Sequence, residues 1–572
     1  MVLSETVARI FLERVFSTPD WIVWEDYEGG LSKSYTFRSL YDRSELIARS
    51  LRKYCLRDRE KIVLCLPSSW EALVFGMAAL GACLVEVVLD PRLPVSVLVT
   101  LLEEVEGRVL VVEGAGFLKK LGEDPRFSKV LASLEKVIVL DDLSEDFVSL
   151  NQVPFFREQR DSKFSSEFED RLSSWSPADI MSMVYTQGIS GMPRPVFWTH
   201  AQVVQAMEHA SRDFGSRIAA QSCVVSCLPT THAFGKLVLL TSWALGWKYC
   251  FRTSWSLQLL EEKELFPSIF FGSTRFFEDW YGELQKKRMG SGKKALYDWA
   301  YGVAKKCTRS SWELLPWKDA LEYRLVQRFL LQRLVYPWGK HLKMVVCLGG
   351  SLPASVQVFF AWHGIAIWEG YGLTETCGWI ALREPGKVGF KSWGRLKVDA
   401  EGEIWVGTFQ GWLATGDLGS ISAHGFQFLG RKQDQLWVEG RSVSVVRWET
   451  LARFSDWIRQ LVLYAHPEFG LVALVTLKSE EVVRYAQDHQ ILFSAYDRLI
   501  NHPRILSCVQ KSIDTLNESF EPHEKLRRFV ILAEALSISR GELSVLGDFF
   551  RKKIAETYDL QLKSMDEDEK AE

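Results

Sequence analysis

Tyr371-Gly372-Leu373-Thr374-Glu375-Thr376 gathers a planar ring, hydroxyls and a carboxylate within six residues. On one short loop these groups could stack a nucleobase, hydrogen-bond a phosphate and hold Mg²⁺. The same run is also an ordinary turn leading into a capped helix. The nucleotide reading depends on whether other segments supply the rest of a site.

Five segments have suitable chemistry. Tyr185-Thr186-Gln187-Gly188-Ile189-Ser190-Gly191-Met192-Pro193-Arg194-Pro195 follows the apolar Met181 to Val184. Glycines and hydroxyls behind a strand let backbone N–H groups wrap a polyphosphate, although alone the segment is a Gly/Ser/Pro turn. Leu228-Pro229-Thr230-Thr231-His232-Ala233-Phe234-Gly235 sets a histidine beside a phenylalanine, where a neutral ring could line an apolar pocket and face a carboxylate; a satisfied core histidine is the plain alternative. Gly349-Gly350-Ser351-Leu352-Pro353 lies about twenty residues before the hexapeptide. In Trp412-Leu413-Ala414-Thr415-Gly416-Asp417-Leu418-Gly419, an aspartate on a tight turn could take both hydroxyls of a ribose. The fifth segment runs from Gly430-Arg431-Lys432-Gln433-Asp434 to Glu439-Gly440.

Alternating strand and helix patterns must position these segments. Lys61 to Leu66 reads as a buried strand, Ser69 to Ala82 as a helix, and Cys83 to Leu89 as a second strand. Val109 to Val112 and Lys136 to Leu140 repeat the theme, which predicts an α/β fold whose parallel strands offer ligands their carboxyl ends. Polar, Ser-rich residues 161–177 read as a surface connection, and the basic, aromatic stretch 286–318 as a solvated helical hairpin or a membrane- or partner-facing insertion. After Gly402 the texture shifts to short strands and turns, and residues 461–490 read as a small α+β unit. An acidic tail, Met565 to Glu572, closes the chain.

Composition narrows the class. With 572 residues and 47% hydrophobic content, the chain can bury large cores in at least two domains. A net charge of −3 gives no electrostatic case for nucleic acid. Ten cysteines without CxxC or Cys/His spacing argue against zinc and disulfides and for a reducing, cytoplasmic compartment. Met1 to Arg14 lacks a signal-peptide core, and the apolar stretch from Ala72 to Val85 is too short to span a bilayer; peripheral membrane contact stays open.

Taken together, the order and spacing of these segments resemble the adenylate-forming (AMP-binding) superfamily over nearly the whole chain. The long-chain fatty acyl-CoA synthetase branch is the best sub-match, through Ser273-Thr274-Arg275-Phe276-Phe277-Glu278, the inserted helical region, Gly349 to Pro353 and Arg540-Gly541-Glu542-Leu543-Ser544. The resemblance implies a large N-terminal domain of layered sheets and helices, residues 1–431, and a small mobile α+β domain, residues 432–572. It implies ATP, Mg²⁺ and CoA as cofactors and a fatty acid as substrate. Carboxylate attack on ATP would give acyl-AMP, and the CoA thiol would then displace AMP. By matched position, Tyr371 would stack adenine over Gly349 and Gly350, Thr374 would contact the α-phosphate and Glu375 would hold Mg²⁺. Thr186, Gly188, Ser190 and Gly191 would cradle the β- and γ-phosphates with Arg194 as the cation. Asp417 and Arg431 would bind ribose, His232 would stand at the acyl pocket, and the Gly440 loop would reach the pantetheine channel.

Departures from that pattern bear on catalysis. The family's phosphate loop carries Ser, Thr and a Lys-Gly pair where this chain has Gln187, Ile189, Arg194 and Pro195. Gln433 stands where the hinge is usually Asp or Lys. Asp548 falls where the adenylation lysine is expected, unless a local slip brings Arg551, Lys552 or Lys553 there. An aspartate at that place adds repulsion where negative charge develops. The alternative function is a catalytically weakened homologue that binds nucleotide or acyl ligand as a regulator or scaffold.

Overall fold

A computed structural model describes residues 3–28, 31–54, 57–140, 148–149, 166–186, 192–252, 266–290, 294–309, 317–331, 341–408, 411–423, 425–453, 455–544 and 547–564. The first strand–helix–strand unit forms as its pattern predicts. Ile62, Val63, Leu64 and Cys65 are all buried, because Lys61–Cys65 is a central strand covered on both faces. The helix Trp70–Gly81 begins where the Ser69 hydroxyl accepts from the Ala72 N–H at 3.2 Å.

Lys61–Cys65 sits inside a seven-stranded sheet, parallel to Val85–Val88 and Val109–Val112. Arg194–Thr199 forms an antiparallel edge of this sheet, where Pro195 costs no needed ladder bond. A nine-stranded sheet contains the parallel strands Cys223–Ser226, Ile269–Ser273, Met344–Leu348 and Ile367–Leu373 side by side. One core joins the two sheets through the helices Trp70–Gly81, His200–Phe214 and Ala233–Leu245, and takes Ile62 and Leu64 from one and Phe271 and Val346 from the other. Their neighbours along each strand, Val63 and Cys65, Phe270 and Val345, face two separate outer cores. The period-2 alternation thus divides between cores rather than between core and solvent.

Glu403–Thr408, Gly411–Ser422 and Gly425–Arg431 form an antiparallel sheet with Leu396–Val398, and Ile404, Val406 and Phe426 pack beneath Tyr371. Beyond it, Ile458–His466, Gly470–Leu477 and Leu526–Leu532 form a three-stranded sheet with the helices Ser479–Asp488 and Pro503–Asn517. Its core residues all lie from Leu436 onward. The fold is mixed α/β as the sequence predicts.

Two expectations fail for one reason, the burial of a few large apolar residues among polar ones. Ser166–Ser173 within the predicted surface connection is a helix that buries Phe168 and Leu172, and Phe168 lies where a Cβ on Gly81 would stand. Lys294–Arg309 is not a solvated hairpin: Ala300, Tyr301, Val303 and Ala304 are buried, and Tyr301 meets His363 at 2.9 Å. Among the described residues no helix is long and apolar enough to cross a membrane.

Candidate active site

The carboxyl ends of the four neighbouring parallel strands deliver the site. Cys223–Ser226 runs toward Thr230, Thr231 and His232; Ile269–Ser273 ends at Thr274; Met344–Leu348 ends at Gly349 and Gly350; Ile367–Leu373 ends at Thr374 and Glu375. The hexapeptide is therefore not a free loop. Tyr371 to Leu373 finish a strand, and Thr374–Thr376 make one 3-10 turn, closed by Thr376 hydroxyl bonds to the Leu373 and Gly378 carbonyls at 2.9 and 2.7 Å. The Trp198 indole donates to the Thr374 carbonyl at 2.9 Å and pins this turn to the seven-stranded sheet.

Gly349 has φ +90°, a conformation that favours glycine, and a Cβ on Gly350 would lie 2.8 Å from the Thr274 hydroxyl. The loop after them is tied down by Glu369, 2% exposed, which accepts from the Leu352 N–H at 2.9 Å and from Gln357 at 2.6 Å and pairs with Arg383. Burial pushes the Glu369 carboxyl up, and Arg383 opposes that shift. A charged residue inside the apolar run Ile367 to Gly370 is the signal in the sequence for this anchor.

Tyr371 is 7% exposed and packs on Phe426 and Phe428, with ring centroids 5.1 and 5.7 Å away. Its hydroxyl donates to Asp417 at 2.9 Å. Asp417 is not on a tight turn: it lies within the strand Gly411–Ser422, directly opposite Arg431 on Gly425–Arg431. Gly416 just before it has φ +72°. Burial raises the Asp417 carboxyl to about 6, against the opposing pull of Arg431 and the Tyr371 hydroxyl. Arg431 stands 4.0 Å from Asp417 and 3.9 Å from Asp548. Asp548 is the main cause of the upward shift of the Arg431 guanidinium.

Asp548 thus faces the same centre as Arg431 and His232. Its position is built locally: the Ser544 hydroxyl accepts from the Asp548 N–H at 2.9 Å, and the Ser544 N–H donates to the Asp548 carbonyl at 2.8 Å. Gly547 has φ +91°, and its carbonyl accepts from the Arg275 guanidinium at 2.9 Å. Of the slipped alternatives, Arg551 has side-chain partners that do not include Arg431. Arg551 is spent on Glu449, 2.9 Å away, and Asp434, 3.4 Å away, while Lys552 and Lys553 are exposed on the helix Arg551–Thr557.

His232 caps the helix Ala233–Leu245. Its Nδ1 accepts from the Phe234 N–H at 3.3 Å, which leaves the proton of the neutral ring on Nε2. Burial lowers its pKa to about 4, so the ring stays neutral near pH 7 and presents an N–H donor. Next to it, the Thr231 hydroxyl donates to Asp90 at 2.7 Å. Burial alone would raise the Asp90 carboxyl, but hydrogen bonds and charge from Arg92 hold it below the usual range.

Thr186 ends one strand and Arg194 opens the next, paired across the hairpin, with Arg194 exposed. Gly188, Ser190 and Gly191 between them, with Gln187 and Ile189, lie outside the described residues, as does the Gln433 side chain. Gly440, φ +75°, turns the hairpin between Gln435–Val438 and Arg441–Ser444. Burial raises the Glu375 carboxyl. No group of three metal-ligating side chains occurs among the described residues. A lone desolvated carboxylate fits a cation shared with substrate phosphates better than an all-protein cage.

A cavity open on one side lies between the helices Trp70–Gly81 and Ala233–Leu245. Thr230, Thr231 and Lys236 line it, flanking His232, and His232 itself does not. The His232 ring stacks on Phe234, with centroids 5.4 Å apart.

A family model described as AMP-binding enzyme matches residues 11–411. The long-chain-fatty-acid–CoA ligase FadD15 of Mycobacterium bovis is 22% identical over 97% of this chain and 96% of its own. Among solved structures, the adenylation domain of a carboxylate reductase from Mycobacterium chelonae superposes with a TM-score of 0.72 at 17% identity, covering 98% of this chain and 91% of that one. The equivalent domain from Segniliparus rugosus, in complex with AMP and a co-purified carboxylic acid, gives 0.70 at 16% identity, covering 98% and 94%.

Proposed function

Because the chain belongs to the AMP-binding enzyme family, we propose that it activates a long-chain fatty acid with ATP and passes the acyl group to CoA. The observation that carries this reading is the convergence of Tyr371, Asp417 and Arg431 with the Gly349 loop, Thr374 and Glu375 at adjoining strand ends. The long-chain acid and the CoA acceptor rest on relatives such as FadD15. Residues 1–431 form the adenylation domain in this proposal, and residues 432–572 a small domain that moves between the two steps.

In the first step a fatty carboxylate attacks the α-phosphorus of ATP and pyrophosphate leaves. Tyr371, immobilised by its aromatic neighbours and Asp417, is a fixed surface for adenine beside Gly349 and Gly350. Asp417 and Arg431 hold the ribose. Thr374 and the Nε2–H of His232 are preorganised donors for phosphate and carboxylate oxygens, and such fixed dipoles lower the barrier where charge develops. Thr186, Ser190 and the glycines 188 and 191 receive the outer phosphates, with Arg194 as the cation. Glu375 would hold Mg²⁺, whose charge offsets that of the phosphates. In the second step the CoA thiol displaces AMP along a channel beside the Gly440 loop.

Asp548 favours a second reading, nucleotide or acyl binding with little turnover. It brings a negative charge to within 3.9 Å of Arg431, where the family's lysine would bring a positive one. ATP–pyrophosphate exchange across a fatty-acid panel separates the two. Exchange dependent on an acid supports the ligase. AMP binding by calorimetry without exchange for any acid selects the regulator or scaffold.

A further inference from the structure

The helix Ala233–Leu245 is buried along almost its whole length and carries a single charge, Lys236, which is 7% exposed. Its ammonium pairs with Glu86 and donates to the Ser182 hydroxyl at 2.8 Å; that hydroxyl in turn donates to Glu86 at 3.1 Å. Burying an ion pair costs more than burying apolar side chains of similar size. A pair kept in such a place therefore calls for a role.

Lys236 and Glu86 both line the cavity between the two helices, whose remaining wall is built mainly from residues such as Leu64, Met77, Leu239 and Trp243. All of the Glu86 bonds above use one oxygen, Oε2. The other, Oε1, has no hydrogen-bond partner among the described residues and lies 2.8 Å from where a Cβ on Gly76 would stand. The absence of a side chain at Gly76 keeps this oxygen open to the cavity. The Lys236 ammonium has three N–H groups and uses two on Glu86 and Ser182.

We infer that the cavity is an acyl-chain chamber selective for a chain bearing a hydroxyl group, read by Lys236 and Glu86 together. A hydroxyl accepts from the third Lys236 N–H and donates to Glu86 Oε1, and it leaves the pair's charge balanced. A second carboxylate would face Glu86, an amine would face Lys236, and a bare methylene would leave the third Lys236 N–H and Glu86 Oε1 without partners against hydrocarbon. Sites built to hydrogen-bond a hydroxyl reject the analogue lacking it far more strongly than apolar pockets sort chains by length.

The inference rests on the acid-activating reading, and calorimetry with hexadecanoic acid and a positional series of monohydroxyhexadecanoic acids tests both. One window of hydroxyl positions should bind at least tenfold tighter than hexadecanoic acid. The double variant Lys236→Met with Glu86→Leu, checked for folding by thermal unfolding, should bring that ratio close to one. If hexadecanoic acid binds as well as every hydroxy acid, or the folded double variant keeps the ratio, the inference is overturned. Binding of no acid at all would instead overturn the acid-activating reading on which it stands.

Discussion

Arg431 lies 4.0 Å from Asp417 and 3.9 Å from Asp548, so one guanidinium is shared by the two halves of the chain. The Asp548 and Arg431 side chains are each more than two-fifths exposed, so their attraction is worth about 1 kcal/mol or less. The larger consequence is for chemistry. A phosphate arriving at Arg431 meets Asp548 as a competitor, and negative charge developing there meets repulsion.

Asp548→Lys should therefore raise acid-dependent ATP–pyrophosphate exchange at least tenfold, the scale of one restored charge-stabilising donor being about 10²–10³. Asp548→Asn should tighten AMP binding by a few-fold and restore little exchange. No gain in exchange from the lysine variant would mean that other losses, such as those in the phosphate loop, limit the reaction.

AMP affinity should depend on pH through Asp417. The carboxylate form accepts from ribose hydroxyls, and burial raises its pKa to about 6. Binding should weaken as pH falls through that value, by up to about tenfold per unit. His232, held near 4 by burial, stays neutral over this range and adds nothing. The nucleotide phosphate itself titrates near about 6, so the Asp417-dependent part is the difference between the wild type and Asp417→Asn profiles. The folding linkage has the opposite sign: a raised folded-state pKa stabilises at acid pH, and that contribution is lost as pH rises through 6.

Gly547→Ala should loosen the docking of the Asp548 loop on Arg275. A Cβ there would stand 2.5 Å from Arg275, and φ is +91°. Arg275→Ala removes the bond to the Gly547 carbonyl from the other side. Both variants should show faster limited proteolysis near residue 547 and a larger radius of gyration by solution scattering. Unchanged scattering in both would show that this contact does not hold the two parts together.

Arg551→Met should destabilise the C-terminal part by about 3–5 kcal/mol, because it strands the buried Glu449 carboxylate. Adding Glu449→Met should recover most of that loss in denaturant unfolding. A single variant as stable as wild type would show that Glu449 takes up its proton at little cost.

Much of this site was legible in the chain because its chemistry comes in short local runs. Gly349-Gly350, Thr374-Glu375 and Thr231-His232 each follow an apolar strand, and strand patterns are readable from period and length. The burial of Phe168 and Tyr301 was not legible, since a polar stretch with a few large apolar residues looks the same whether or not a partner surface waits for them. Glu369 and Trp198 escaped for a similar reason: each acts on a segment distant in sequence, across 17 and 176 residues.

By itself the sequence determined the α/β layering and the residue types at the strand ends, for these follow from composition and order along the chain, whereas the change of sign at Asp548 is what the resemblance to the family's pattern implies. Only the tertiary structure decided that Asp548, rather than Arg551, faces Arg431, and that Lys236 and Glu86 meet in one cavity. Positions 150 residues apart are joined by packing, and no local pattern encodes which distant partner a buried charge will find.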